Sequence, residues 1–301
     1  MRRPESQPKI CDYEGSNYRV DFWEGKGRDY EDQVERIALR RLLPGSGRRL
    51  LEVGAGFGRL TSEYHAYERV VLLDYSFSQL EYAREKLGDG RFTYVAADAY
   101  RLPFRPGTFD GATMIRVIHH MADVPAVMRQ IRRVLVPGGI FILEHANKRN
   151  IKAMLRYATG RQKWDPYDFK PVEFVELNFD FHPEYIVQQL EQAQLKLETR
   201  FPVSFFRVDA LKNTVPTQLL VGVDALLQHS GLLVTPSVFT RSHTVGNSAD
   251  NLNTSFIFVC PDDGDELSHD GDTLVCRQCG KAWAQREGIY DFKAPVNEME
   301  T

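Results

Sequence analysis

Residues Leu50-Leu51-Glu52-Val53-Gly54-Ala55-Gly56-Phe57-Gly58-Arg59-Leu60 constrain the fold more than any other stretch of the chain. An apolar run of strand length enters a Gly-x-Gly-x-Gly turn. Glycine reaches positive φ without a steric penalty and lets a ligand approach the backbone closely. A dinucleotide-binding fingerprint would place its third glycine at position 59, where the chain has Arg59. No Gly-Lys-Ser/Thr follows either, so the turn is not a phosphate-cradling loop of that type.

Downstream, β-branched runs alternate with helix-length amphipathic stretches as far as residue 146, the pattern of a parallel sheet with crossover helices. Strands are expected at Arg49–Val53, Val70–Leu73, Phe92–Ala96, Phe109–Ile115 and Ile140–Glu144. Helices are expected at Arg59–Tyr67, Phe77–Leu87 and Val124–Leu135, with Gly88, Gly90, Pro106-Gly107 and Pro137-Gly138-Gly139 punctuating the ends. This predicts a doubly wound α/β domain. Later segments read as a helix from Pro183 to about Gln194, a strand at Leu195–Phe205, an apolar stretch over 216–234 and a strand at Ser237–His243. The polar run 246–251 is the best linker candidate.

Two acids give the glycine turn its context. Asp74 ends the second strand, 20 residues after Gly54, where a carboxylate can accept both hydroxyls of a ribose. Asp98 ends the third, where it can accept from an adenine amino group. The ordered set Glu52-x-Gly54-x-Gly56-x-Gly58, Asp74-Tyr75-Ser76, Asp98 with Leu102-Pro103-Phe104, His119-His120 and the Val134–Gly139 run resembles the class I S-adenosylmethionine-dependent methyltransferases of the small-molecule type. The resemblance is close over about residues 45–146. It implies a seven-stranded Rossmann-like sheet, with the Leu195 and Ser237 strands as the closing antiparallel pair. It also implies S-adenosyl-L-methionine as cofactor, with Glu52, Gly54, Ala55, Gly56, Gly58, Asp74, Tyr75, Asp98, Ala99 and Arg116 around it.

Methyl transfer from a sulfonium is an in-line displacement with a neutral leaving group, so the protein supplies mainly positioning and exclusion of water. A base is needed only where the acceptor loses a proton. His119 and His120, after the fourth strand, are the candidates, with Arg116, Glu144, His145 and Asn147 nearby on the rim. There is no Asn/Asp-Pro-Pro-Tyr/Phe tetrapeptide after the fourth strand, and no cysteine between residues 45 and 245 for a covalent route.

The N-terminal segment 1–44 contains an aromatic and glycine-rich stretch, Tyr18 to Tyr30, that reads either as a lid with Trp23, Arg28 and Tyr30 as its contacts or as packing on the sheet. The domain expected over 45–245 carries cap segments at 147–182 and 206–235. Residues 147–170 hold seven Lys/Arg against Asp165 and Asp168. With the apolar 216–234 stretch they are expected to wall an acceptor site suited to an amphipathic or anionic molecule, such as one drawn from a membrane surface.

A separate module is expected over 255–293. Cys276-Arg277-Gln278-Cys279-Gly280 is a metal knuckle, two thiolates followed by a turning glycine. Its partner, Cys260-Pro261-Asp262-Asp263-Gly264, has Asp263 where a second cysteine would stand. Cys260, Asp263, Cys276 and Cys279 are therefore the candidate zinc ligands of a zinc-ribbon-like module, with His269 a substitute. The module and the later Gly288–Phe292 run resemble small zinc-ribbon proteins that activate methyltransferases of the translation machinery.

These residues point first to a methyltransferase (EC class 2.1.1) acting on a small, lipid-like acceptor. Two alternatives stay open: an acceptor that is RNA or a translation protein, and a non-catalytic binding protein on the same fold. The net charge of −3 argues against a globally basic nucleic-acid binder. With no apolar run of membrane-spanning length and no secretory leader at the start, the expected location is the cytoplasm.

Overall fold

The structure, a computed structural model, describes residues 8–16, 19, 23, 27–247 and 249–296. Of the Tyr18–Tyr30 stretch, residues 18, 20–22 and 24–26 lie outside them, as does Ser248 in the expected linker.

Helix α1 (Asp29–Leu42) carries Asp29, Glu31 and Asp32 in its first turn and Arg40 and Arg41 in its last, which complements the helix dipole. Strand β1 (Gly47–Val53) runs into the glycine turn and a single 3-10 turn at Thr61–Tyr64. Then follow β2 (Tyr67–Asp74), α2 (Phe77–Leu87), β3 (Phe92–Ala96), β4 (Phe109–Met114), α3 (Val124–Val134) and β5 (Leu135–Ala146). Ser76 Oγ caps α2 and Asp123 caps α3, each by accepting a backbone N–H of the first turn. On α3, Val124, Val127, Met128, Ile131 and Val134 form the buried stripe that a 3.6-residue period dictates.

The helix expected at Arg59–Tyr67 is not formed. Tyr67 already begins β2, and its ring fills the space that Gly47 and Gly111 leave open. Arg59 and Glu63 turn instead toward α1, where Arg59 pairs with Asp32 and Glu35, and Glu63 with Arg36 and Arg40.

A less regular region follows: α4 (Ile151–Ala158), a hairpin of β6 (Val172–Val175) and β7 (Asn178–Asp180), α5 (Pro183–Gln192), β8 (Leu195–Val203), α6 (Asp209–Thr214), α7 (Thr217–Leu227) and β9 (Ser237–Thr244). The core sheet has the order β3-β2-β1-β4-β5-β9-β8, parallel from β3 to β5 and antiparallel at β9 and β8. Alternate residues of β1 and β2 feed opposite faces. Leu50, Val70 and Leu72 pack with α1, α2 and α7, while Leu51, Val53, Val71 and Leu73 pack with α3 and α5. Because β1 has β2 on one side and β4 on the other, strand order reverses there, and the loops after β1 and β4 diverge to leave a crevice.

The C-terminal strands are β10 (Leu267–Asp270), β11 (Thr273–Cys276), β12 (Ala282–Arg286) and β13 (Ile289–Asp291). They do not stand apart. β13 pairs in parallel with β3, Asp291 opposite Ala96, and extends the sheet to eleven strands. The expected linker is likewise tied down: Asn251 N–H donates to Gly107 O and its side chain to Pro106 O. Phe258 packs against Phe104, Tyr290 and Phe292, so the ribbon shares its apolar core with the α3 face of the sheet.

Candidate functional site

The turns after β1, β2, β3 and β4 enclose a cavity of about 740 Å3. Gly54 and Gly56 hold φ of 70° and 51°, and a Cβ on Gly54 would stand 2.1 Å from Val117 Cγ2. Only glycine lets the two turns approach this closely. Asp74 accepts Gly56 N–H at 2.7 Å on one oxygen and Ser76 N–H at 2.9 Å on the other. Each oxygen keeps a lone pair for a diol. Burial pushes the Asp74 carboxyl above its ordinary value despite these bonds. Asp98 accepts Tyr100 N–H at 2.9 Å and lies 3.8 Å from the Arg101 guanidinium. Asp74, Tyr75, Asp98, Ala99, Gly54, Gly56 and Arg116 all line this cavity.

Glu52 and Ala55 instead face an adjoining cavity of about 460 Å3. Glu52 accepts from Thr61 Oγ1 at 2.6 Å and Tyr64 OH at 3.2 Å, and burial raises its carboxyl to about 7. Gly58 lines neither; with φ 73° it faces Leu87 and Ala83 of α2 and sets the turn. Trp23 covers the second cavity, its ring 3.8 Å from the Arg59 guanidinium and 5.1 Å from that of Arg116. Arg28 reaches the same ring, at 5.5 Å. Tyr30 is not part of this cover. Its buried hydroxyl donates to Asp224 at 2.5 Å and accepts Phe206 N–H, joining α1 to α7.

Tyr13, Arg116 and His120 line the first cavity and also a larger chamber of about 1250 Å3. Arg116 adopts φ 59°, which costs a non-glycine residue roughly 1–2 kcal/mol. Its guanidinium is held by Glu35 and its N–H by Glu144. The titratable groups of the chamber differ sharply in what they have free. His120 is bonded on both ring nitrogens, to Leu177 O at 2.8 Å and Tyr13 OH at 3.2 Å. His119 packs on the His120 ring at 4.1 Å, and burial beside His120, Arg116 and Arg207 holds it well below the usual imidazole value. Glu144 has both oxygens engaged, with Ser237 Oγ at 2.6 Å and Arg116 N–H at 2.9 Å.

Asp180 is the carboxylate left free, and His119 is likewise without a hydrogen bond among the described residues. The Asp180 carboxylate lines the chamber, has no hydrogen-bond partner among the described residues, and is raised to about 6 by burial against the counter-pull of Arg207. The backbone bonds Phe181 N–H to Ala146 O and Lys148 N–H to Phe181 O fix it beside the end of β5. The sequence reading missed Asp180, Arg207 and Tyr13. The alternation Asn178-Phe179-Asp180-Phe181 was the available signal for a short strand presenting that acid.

Two other expectations are corrected. Apolar residues 216–234 do not wall the chamber; α7 packs on α1, and Asn147, Asn150, Arg207 and Pro236 stand there instead. Cys11, outside the segment searched for a nucleophile, lines the first cavity, with its thiol pushed up by burial. Asn147 also ties its amide to Leu233 O and Thr235 O, and His145 is buried outside the chamber.

In the ribbon, Cys260, Asp263, Cys276 and Cys279 bring their ligand atoms within 4.8 Å of one another. Cys260 Sγ is 3.8 Å from Cys279 Sγ, and Cys276 Sγ is 3.4 Å from Asp263 Oδ2. A tetrahedron with zinc–sulfur bonds of about 2.3 Å and a zinc–oxygen bond of about 2.0 Å has edges of about 3.8 and 3.5 Å. The donor set therefore fits zinc. His269 lies away from it, against Phe256.

Residues 51–143 match the family described as a methyltransferase domain. The chain thus carries a methyltransferase domain, set in the fold of the S-adenosylmethionine-dependent methyltransferases. Among relatives, the O-methyltransferase cnsE of Penicillium expansum is 32% identical over 152 residues, 46% of this chain and 54% of that protein. The ubiquinone/menaquinone biosynthesis C-methyltransferase UbiE of Idiomarina loihiensis is 35% identical over 132 residues, 41% of this chain and 50% of that protein. The chain spans about half the length of the curated relatives it matches. A chain from the complex between the Haloferax volcanii Trm112 methyltransferase activator and a methyltransferase superposes with a TM-score of 0.54 at 15% identity, over 79% of this chain and 100% of that one. No helix among the described residues is long and apolar enough to cross a membrane.

Proposed function

We propose that the protein transfers a methyl group from S-adenosylmethionine to a small-molecule acceptor with an ionisable hydroxyl, and that Asp180 accepts the acceptor's proton. The supporting observation is one continuous space: a cavity carrying Asp74 and Asp98 at adjacent strand ends, opening past Tyr13, Arg116 and His120 into a chamber with one unengaged carboxylate. The cofactor, when bound, supplies an electrophilic methyl group.

Asp74 would hold its ribose and Asp98 its adenine. Arg116, locked by Glu35 and Glu144, fixes the neck between cofactor and acceptor. His120, bonded at both nitrogens, orients Tyr13 and leaves proton acceptance to Asp180. Arg207 stands on the same chamber wall and favours an acceptor that develops negative charge. Small-molecule O- and C-methyltransferases among the relatives support the acceptor class. Zinc, held by the three cysteines and Asp263, would serve the ribbon's fold and not the reaction, since none of those residues lines the chamber.

Calorimetric titration with S-adenosylhomocysteine tests the reading. Micromolar affinity, weakened by Asp74→Ala and Asp98→Ala, is expected; no binding at millimolar ligand overturns it.

A further inference from the structure

The basic stretch after β5 is only partly used by the chamber. Helix α4 buries Ala153 alone and holds Ile151 and Leu155, one turn apart, 57% and 62% exposed. The β6–β7 hairpin, whose Phe174 shares a cavity lining with Arg156 of α4, exposes Phe174 at 58% and Val175 at 60%, and the intervening loop exposes Tyr167 and Phe169. Isolated exposed apolar residues need no explanation, but a group this dense on one segment marks a contact surface. Cations are interleaved with it. Lys152, Arg156, Arg161 and Lys163 have no carboxylate within ion-pair distance among the described residues. Lys148 is buried and neutralises Asp168 at 2.5 Å, which leaves Asp165 in that stretch; on the hairpin, Glu176 is paired with Lys9 at 2.6 Å and Glu173 accepts Leu177 N–H.

The acceptor's approach opens on the same face. Arg156, Arg161, Lys163 and Trp164 line an outer cavity of about 950 Å3 that meets the chamber at Phe174 and Asp180.

We propose that α4, the 159–170 loop and the tip of the β6–β7 hairpin dock onto an anionic phospholipid bilayer, with the entrance of the acceptor chamber facing the lipid. The charge is complementary to anionic headgroups. The aliphatic side chains decide between polyanions: a bilayer covers Ile151, Leu155 and Val175, whereas a nucleic acid neutralises the cations and leaves those side chains in water. The docking does not depend on the acceptor's identity, and its failure would leave the methyl-transfer reading intact.

The test is co-sedimentation of the full chain with vesicles of phosphatidylglycerol and phosphatidylcholine in equal parts, against phosphatidylcholine alone. Binding to the anionic vesicles is expected, with at least about a tenfold loss of affinity in Arg156→Glu/Arg161→Glu and in Ile151→Ser/Leu155→Ser. Unchanged S-adenosylhomocysteine affinity and an unchanged melting curve show that each variant is folded. Equal partition to neutral and anionic vesicles overturns the proposal, as does full retention by either double variant. So does a dimer abolished by Ile151→Ser/Leu155→Ser without vesicle binding, or RNA binding lost in the arginine variant without vesicle binding.

Discussion

The two halves of the site are built from different materials. Around the first cavity, backbone turns and short side chains at the ends of parallel strands do the shaping, and strand geometry fixes their positions. Around the larger chamber, long charged side chains come from the ends of β4 and β5, from a three-residue strand and from the loop at Arg207. A cofactor that stays the same can be recognised by rigid backbone. An acceptor that differs between enzymes of one fold is met by inserted segments.

The sharpest way to break this division is Asp180→Asn. Acceptor turnover should fall by about 10²–10⁴, with S-adenosylhomocysteine affinity unchanged; a parallel loss of both would join the halves. The pH dependence has a definite sign. With the Asp180 carboxyl raised to about 6, activity rises as the base ionises through that pH and then levels, and the variant should lose this limb.

Gly54→Ala attacks the other half. The Cβ would meet Val117 at 2.1 Å in a left-handed backbone, so cofactor-analogue affinity should fall by about a hundredfold or more. Gly56→Ala, whose Cβ meets nothing within 4 Å, should lose only the part due to its φ, about tenfold.

Glu52→Gln separates binding from stability. The folded carboxyl titrates at about 7 against an ordinary 4.5, so between those values the native state holds a proton that the unfolded chain has released. Wild-type stability should therefore fall as pH rises through that window, by up to about 3 kcal/mol from this group. The variant's melting temperature should fall less from pH 5 to pH 8.

The smallest effect expected at the cofactor is that of Cys276→Ser. One bound zinc per chain should be lost on metal analysis, and cofactor-analogue affinity should drop by less than the roughly tenfold loss expected of Gly56→Ala. The route is indirect: the Asp262 carboxylate of the first knuckle binds Arg101 at 2.6 Å, and Arg101 stands beside Asp98.

What was legible in the sequence follows the same division. Gly54, Asp74 and Asp98 could be read because a strand ending in a tight turn leaves a local record in residue type and spacing. The helix expected at Arg59–Tyr67 failed because Arg59 and Glu63 answer to α1, a tertiary partner no local pattern reports. Asp180 was hidden for a related reason. Its importance comes from the bond between Phe181 and Ala146, 35 residues apart in the chain, and from His120, whose two ring nitrogens are already engaged. The ribbon was recognisable from its knuckles, but the pairing of β13 with β3 has no counterpart in either strand's own sequence.

That pairing has a consequence in time. Ala96 and Asp291 are neighbours in the sheet although 195 residues separate them, and at about 5–20 residues per second a ribosome takes roughly 10–40 s to travel between them. Throughout that interval the growing chain carries β3 as an open sheet edge, the edge immediately before Asp98. Completion of the Asp98 end of the first cavity is thus scheduled among the last events of synthesis, and the nascent polypeptide passes through a long stage in which a sticky strand must be kept from other partners.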